Sequence, residues 1–567
     1  MDPFSITVGA VGLITVFKEV YLLSRCIYRA CESARASDEE REKLRHDLRY
    51  DLLRIRSFGR HYLKNKDVLG AHGLDNHWAS MIYDILEELR KSLDDYRKLD
   101  DPYYLQYSPY VNDSMYGTPT IEFPLDDQND PIPPVKLPAK KLSFNSFFNR
   151  TRETTKLAVK SAKWALYDKK RLESTISNFR RETEKLTGLL PLAQSAQVSR
   201  IDNKIDALTA TINDHDAQIL GLVPHAKLME FNEQNEDDYT DENEMKQCKV
   251  KTTSDDNELS AGTIELNHEG GNTAEQESVL IELKYYPPLE ENCNATPNNP
   301  DSDTKTNVRR LAGLLSISSS GSELRTLPFK FYVHEPDQER YAFVFGYPLH
   351  ALQSQPISLH ELIKSSTQDQ RFPLAIRFQV AEMIAKSIGV FHADGWVHKS
   401  VCSRSVVFFK QRSKESLMLR SPYLVDFGYS RPEEGKTYAR HQQTTNSDAL
   451  YLHPDRPRMT FTKLHDIYAL GVVLLEIATW KTAKDHFDSA LKGLDLDVTT
   501  IDKEEVREKF LSIAKKSIPY HMGTAYMEAV ISCLDDTYRG HTASSTFLET
   551  FQTEIIEKLS AKQLSSR

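Results

Sequence analysis

Two domains of different class are predicted: an all-α helical bundle over residues 1–222, and an α+β bilobal domain over 263–560 in which a strand-rich lobe precedes a helical one. Three observations lead there. Apolar residues recur at helical spacing from the N-terminus to about residue 220, and after about residue 260 the pattern becomes that of strands. Between them lies Met229–Met245, acidic and without one basic residue. Single cores stop growing beyond about 250–300 residues, so a chain of 567 residues divides.

The first element is the apolar start MDPFSITVGAVGLITVFKEVYLLSRC, uncharged from Pro3 to Phe17. Phe4, Val8, Val11, Leu13 and Phe17 mark it as an apolar helix, and Gly9, Ala10 and Gly12 permit close helix packing. No basic residue precedes the apolar core, so a secretion signal is not expected. Lys18 and Glu19 interrupt the run before the roughly 20 residues that cross a bilayer. A second helix follows in LRHDLRYDLLRIRSFGRHYL, where Leu44, Leu48, Leu52, Leu53 and Ile55 recur near helical spacing, and a third in WASMIYDILEELRKSLDDYRKL. Residues 101–140, rich in Pro, Asp and Tyr without a period, read as a long loop. Helix resumes with Leu172, Ile176, Phe179, Thr183, Leu186 and Leu190 at steps of four and three, the seam of a packed helix. One more amphipathic helix, SRIDNKIDALTATINDHDAQILGLV, closes the bundle.

The acidic run is expected to be a solvated linker, taken as 223–262. Beyond it ESVLIELKYYP, LPFKFYVHE and RYAFVFGYP read as strands, and helices return from Leu374. A net charge of -10 with 27% charged residues gives no footprint for nucleic acid, so no nucleic-acid partner is expected. Six scattered cysteines lack the spacing of a zinc site or a disulfide framework, which points to a reducing cytoplasm.

In the second domain the order of landmarks is informative. IELKYY sets Lys284 in a strand, a long helix ends in FHADGWVH, YLVDFGYS follows, and DIYALGVVLLEIATW opens with Asp466. Over roughly 263–555 this resembles the protein-kinase fold. The resemblance implies that Lys284 holds nucleotide phosphates, that Asp426, followed by Gly428 in DFG, binds magnesium, and that Asp466 anchors the catalytic loop. ATP and Mg2+ are the implied cofactors. Against the loop pattern H-R-D-x-x-x-x-N, His398 falls on the His, Lys399 on the Arg, Ser400 on the Asp and Ser405 on the Asn. A serine hydroxyl is a poor base near pH 7 and a weaker magnesium ligand than an amide oxygen.

Other kinase-like parts are degraded as well. Gly270 and Gly271 lack the G-x-G-x-x-G spacing, and the helix expected near TKTNVRRLAGLLS holds no glutamate, with Asp303 just before it as a weak substitute. A pseudokinase is therefore expected, with no catalytic residue assigned; a working serine/threonine kinase with an unusual base is the alternative. Plainer readings stand beside the chemical ones: Lys284 as a strand-edge lysine, Asp426 as a turn cap before Gly428, His398 as a packed core histidine. Thr444, Thr445 and Ser447 lie in the equivalent of the activation segment, where phosphorylation would add charge.

The N-terminal region, over about 1–220, is similar to the fungal HeLo domain of prion-inhibition and propagation proteins, on the strength of MDPFSITVGAVGLITVFKEVYLLSRCI and KWALYDKKRLESTISNFRRETEKLTGLL. The resemblance implies a bundle whose first helix can be released into membranes and cause cell death. A basic set from Lys136 to Lys163, interleaved with Phe144, Phe147 and Phe148, suits anionic membrane lipid. Expected partners are such lipid and further copies of the chain through the bundle, with recruitment from the cytoplasm to the plasma membrane on activation; protein partners are not identified by the sequence. The plainer reading makes the first helix the buried centre of the bundle. The domain order is also similar to that of the necroptosis effector mixed-lineage kinase-domain-like protein, an analogy of architecture alone. A scaffold that binds proteins and enters no membrane is the third reading.

Overall fold

The computed structural model describes residues 10–33, 39–64, 74, 76–97, 169–233, 244–245, 248–252, 259–266, 275–286, 300–318, 324–365, 371–413, 416–433, 448–456, 460–490, 502–535, 537–538 and 544–560. The chain forms two compact units, 1–201 with 210–223, and 202–209 with 224–567.

The first unit is built from α1 (Ala10–Ser33), α2 (Glu39–Phe58, continuing as a π-turn Gly59–Lys64), α3 (Asn76–Arg97) and α4 (Lys169–Val198). α1 packs on α2 and α3, and α4 packs on the same two helices. Leu13, Phe17, Val20, Phe58, Trp78, Leu86, Phe179 and Leu190 are fully buried. Phe17 lies 5.9 Å from the Tyr21 ring and 6.0 Å from Phe58. Gly59 makes room for it, because a Cβ at that position would stand 2.2 Å from Phe17 Cζ. The helix runs past Lys18 and Glu19, which take half-exposed positions beside the buried stripe. Phe4 and Val8 fall outside the described residues, as does the side chain of Val11. Among the described residues no helix is long and apolar enough to cross a membrane.

In α4 the predicted seam is buried at Ile176, Phe179, Thr183, Leu186 and Leu190. Thr183 is tolerated there because its hydroxyl donates to the Phe179 carbonyl at 2.9 Å. The helix continues through Pro191 to Val198; proline forfeits one helical hydrogen bond, while every residue of 191–198 is buried. The single closing helix expected from the sequence is instead two, α5 (Lys204–Ile212) and α6 (His215–Ile219). Asp214 breaks it by capping α6, accepting the Asp216 amide at 2.9 Å, and it meets His61 Nδ1 at 2.5 Å. The loop 101–140 and the basic set lie outside the described residues.

The second unit corrects the expected linker. Within 223–262 lie most of α7 (Leu222–Glu233), all of β1 (Cys248–Thr252) and the start of β2 (Ser260–Leu266). The expected linker starts too early, because α7 is a helix with one buried side that runs into the acidic stretch: His225 and Ala226 are buried, and Phe231 packs against Gly313, where a Cβ would come within 2.6 Å of its ring. A five-stranded antiparallel sheet has the order β1-β2-β3-β5-β4, with β3 (Glu275–Tyr285), β4 (Phe329–Glu335) and β5 (Arg340–Phe345), and α8 (Ser302–Ser318) joins β3 to β4. Ile264, Val279, Ile281, Leu283, Ala342 and Val344 form the core on one of its faces.

The helical lobe follows with β6 (Ile357–Ser358), α9 (Leu359–Ser365), α10 (Leu374–Ala393), β7 (Trp396–Val397), β8 (Val406–Phe408), β9 (Tyr423–Leu424), β10 (Arg431–Pro432), α11 (Lys463–Thr479), α12 (Ala483–Ala490), α13 (Lys503–His521), α14 (Thr524–Leu534), α15 (Ser544–Phe551) and α16 (Glu557–Leu559). From His465 to Thr479 every residue of α11 is buried, so it is the central helix of this lobe.

Candidate functional site

α11 supplies the anchor. Thr462 caps its N-terminus, and Asp466, fully buried one turn in, accepts the His398 amide at 2.6 Å and the Lys399 amide at 2.9 Å. His392 Nε2 lies 3.1 Å from the same carboxylate. Burial alone would raise the pKa of Asp466; its hydrogen bonds and its attraction to His392 and His398 outweigh burial and hold it below the usual carboxylate value. One carboxylate thus fixes the loop that leaves α10, and Lys399 turns the chain with a left-handed backbone at φ 71.

On that loop the chemistry is altered. Ser400 occupies the aspartate position, and among the described residues its one bond is from the backbone, its amide donating to His398 Nδ1 at 3.3 Å. Ser405, at the asparagine position, is turned inward: its hydroxyl donates to the Cys402 carbonyl at 2.9 Å and accepts the Cys402 amide at 3.0 Å. Burial pushes His398 down to about 4, so near neutral pH it is an uncharged, packed ring.

Across the cleft β3 holds the DFG turn. Residues 282 and 284 share one face of the strand, opposite Ile281 and Leu283. Glu282 accepts the Asp426 amide at 2.8 Å and the Phe427 amide at 3.1 Å, while Lys284 Nζ donates to the Gly428 carbonyl at 2.6 Å. Two alternate side chains of one strand therefore grip three successive residues. Asp426 sits in the left-handed region, φ 69 and ψ 50, which aspartate tolerates better than most residues. Burial pushes Glu282 up to about 7 against the pull of its two amides, and it pushes Lys284 down to about 8. Glu282 was missed from the sequence; the alternation Glu-x-Lys on an apolar strand was the available signal. Asp303 lies inside the first turn of α8 rather than before the helix.

Lys284 and Asp426 are in place together at the DFG turn, while the base and second-metal positions of the loop carry serines. The Glu282 carboxylate is committed to backbone amides, Ser405 to its own loop, and no base stands at position 400. Among the described residues there is no group of three His, Cys, Asp or Glu side chains that could hold a metal ion.

Between catalytic loop and α11 lies a cavity of about 290 Å3, lined among others by Lys399, Ser400, Ser405, Asp426, His453, Arg456, Phe461, His465 and Asp466. It joins the loop residues predicted from the sequence to three basic side chains, His453, Arg456 and His465, that the sequence did not flag. Lys399 is pushed down to about 8, first by burial and then by the cations Arg431, Arg456 and Lys284.

Just before this loop, Asp394 is buried against His225 of α7, whose Nδ1 lies 2.9 Å from Oδ1. Burial raises the Asp394 pKa, and His225 opposes that rise. Of the other residues singled out, Gly270, Gly271, Thr444, Thr445 and Ser447 fall outside the described residues.

Comparison with protein families gives two matches. Residues 5–216 match HeLo, described as prion-inhibition and propagation, and residues 347–539 match the protein tyrosine and serine/threonine kinase family. The second match begins after β5, so the sheet with Glu282 and Lys284 lies outside it.

Proposed function

We propose that this chain, a HeLo domain followed by a kinase-like domain, is a cell-death or signalling effector of the heterokaryon-incompatibility type, in which the kinase-like unit controls a membrane-active bundle. The observation that carries it is the DFG turn held by Glu282 and Lys284 while positions 400 and 405 are serines. The kinase framework is retained and internally bonded, Lys284 and Asp426 included, while the base and second-metal positions of the loop are serines. Such a unit is suited to adopting states rather than to turning over substrate.

The bundle supplies the output. Leu13, Val16, Phe17, Val20, Tyr21 and Leu23 of α1 are buried, and at about 1.5–3 kcal/mol each their exposure to water costs on the order of 10 kcal/mol. Release therefore requires another apolar medium, which anionic membrane provides. Helix α7, which leads into the acidic segment, offers a route for control, since its His225 lies against Asp394 beside the catalytic loop. ATP remains the family's ligand; in this reading it acts, if bound, by stabilising one state of the second unit.

The test is dye release from anionic liposomes by the full chain and by the chain without residues 1–22, alongside transfer of labelled phosphate from ATP. Release that depends on the first helix, with no transfer, is the expected result. Transfer lost on Asp426→Ala would establish a working kinase instead, and a folded protein that leaves liposomes intact while pulling down a stable protein complex would favour the scaffold.

A further inference from the structure

Three element ends meet at one pole of the helical lobe: the start of α10, the turn between α11 and α12, and the end of α13. Arg377, in the first turn of α10, donates from its guanidinium to the Ala478 carbonyl near the end of α11 at 3.0 Å. The next residue, Phe378, meets Tyr526 edge to face with ring centroids 5.4 Å apart, and the Tyr526 hydroxyl donates to the Leu474 carbonyl at 3.0 Å. These contacts set the start of α14 against α10 and α11, and α13 ends at His521 just before α14.

This packing gathers cations. Arg371 and Arg377 are half-buried, and Lys481 and His521 are exposed. The His521 pKa is lowered by burial first and then by Arg377, Arg371 and Lys481, so all three charges lie within reach of its ring. Arg377 is depressed by burial and by Arg371, with Tyr526 acting against them. Among the described residues no carboxylate acts on either group. Asp485, in the first turn of α12, is committed locally: it accepts the Thr482 amide at 3.0 Å, and its charge is felt by His486. The cluster thus runs against a chain whose net charge is -10, and like charges held together weaken a fold until an opposite charge meets them.

Apolar side chains flank these cations in the chain. Tyr520 is 87% exposed, the most exposed of the large apolar side chains described, and Leu374, one turn before Arg377, is 36% exposed. Tyrosine and arginine are enriched at protein interfaces. A small inorganic anion makes no use of the tyrosine or the leucine, and the Arg and Lys side chains here fall short of the about four to eight that mark a lipid-binding cluster.

We propose that this pole of the helical lobe is a docking surface for an acidic peptide segment of a protein partner, its carboxylates meeting Arg371, Arg377, Lys481 and His521 and an apolar side chain resting on Tyr520 and Leu374. Charge complementarity brings the segment in, and the exposed ring holds it. The inference goes beyond the effector reading: it stands on the fold of the second unit and needs neither nucleotide binding nor membrane activity.

The test uses the full chain and fluorescence anisotropy with a labelled heptapeptide of glutamate and aspartate around one central phenylalanine, and with its counterpart in which Gln and Asn replace the acids. The acidic peptide is expected to bind, more weakly as salt rises, and the neutral one to remain unbound. Arg371→Gln combined with Lys481→Gln removes two surface charges and should weaken binding about tenfold; Arg377 is left in place because it ties α10 to α11. Tyr520→Ser, at a side chain that does not hold the fold, should also weaken binding while leaving its salt dependence unchanged. In the wild-type complex the His521 imidazole should titrate at a higher pH than in the free chain, because an anion favours its protonated form. No binding to the wild type, equal binding of the neutral peptide, or binding indifferent to the double variant in a folded protein would overturn the proposal. Loss of binding to phosphatidylserine vesicles in the double variant, with peptide binding kept, would overturn it in favour of lipid. Liposome leakage measured on the same samples reports on the effector reading separately.

Discussion

α1 and α11 are both apolar helices at the centre of their units, and they are buried in different ways. α11 is enclosed on every side, and its one buried carboxylate near the N-terminus is matched by two amides and a histidine. α1 is buried along a stripe, while Thr15 is exposed and Lys18 and Glu19 are half-exposed. A helix enclosed on all sides cannot leave without unfolding its domain; a helix with a polar face gives up only one face of contacts. The contrast assigns rigidity to the unit that holds the cleft and conditional burial to the unit proposed to act on membranes.

The comparison can be broken most forcefully at Phe17. Phe17→Ala in the full chain should cost the bundle about 3–5 kcal/mol, read as a lower denaturation midpoint for that unit, and should increase dye release; unchanged stability would mean that α1 is not held as described. Next comes the tie between α7 and the catalytic loop. His225→Ala leaves the Asp394 carboxylate buried without its histidine and should destabilise the second unit by roughly 3 kcal/mol, with a change in liposome leakage if control runs through this segment. An effect of similar size is expected at Glu282. Its removal in Glu282→Ala strips two buried amides of their acceptor, at about 1–3 kcal/mol for each amide left unsatisfied, and proteolysis within the DFG turn should accelerate.

The smallest effect is a pH dependence in the bundle. Burial pushes Asp51 up to about 6 from an ordinary 3.8, against the pull of Arg180 and Arg54. Between those values the folded unit retains a proton that the unfolded chain releases, so this contribution to stability is lost as pH rises from about 4 to about 6. Asp51→Asn should flatten that part of the curve, measured as denaturation midpoints at several pH values.

The helices and strands were largely legible because their period reflects a buried face: the seam from Ile176 to Leu190 and the strand around Lys284 lie where spacing placed them. Errors arose where a few side chains override an average. Asp214 cut one expected helix into two with a single cap, and α7 was missed because its short run before the acidic stretch shows no clear period, though His225 and Ala226 are buried. The loss of the catalytic aspartate and asparagine was plain from the order of residues alone.

By itself, then, the sequence determined the two domain classes, the order of the kinase-like landmarks, and serine at positions 400 and 405, since each depends on residue identity and local period. Tertiary structure alone decided what those landmarks touch. That Glu282 and Lys284 grip the DFG turn, that Asp466 is saturated by the loop it anchors, and that His453, Arg456 and His465 face the same cavity as Lys399 are contacts between residues distant in the chain. Their pairing is set by the packing of whole elements, and no local pattern encodes it.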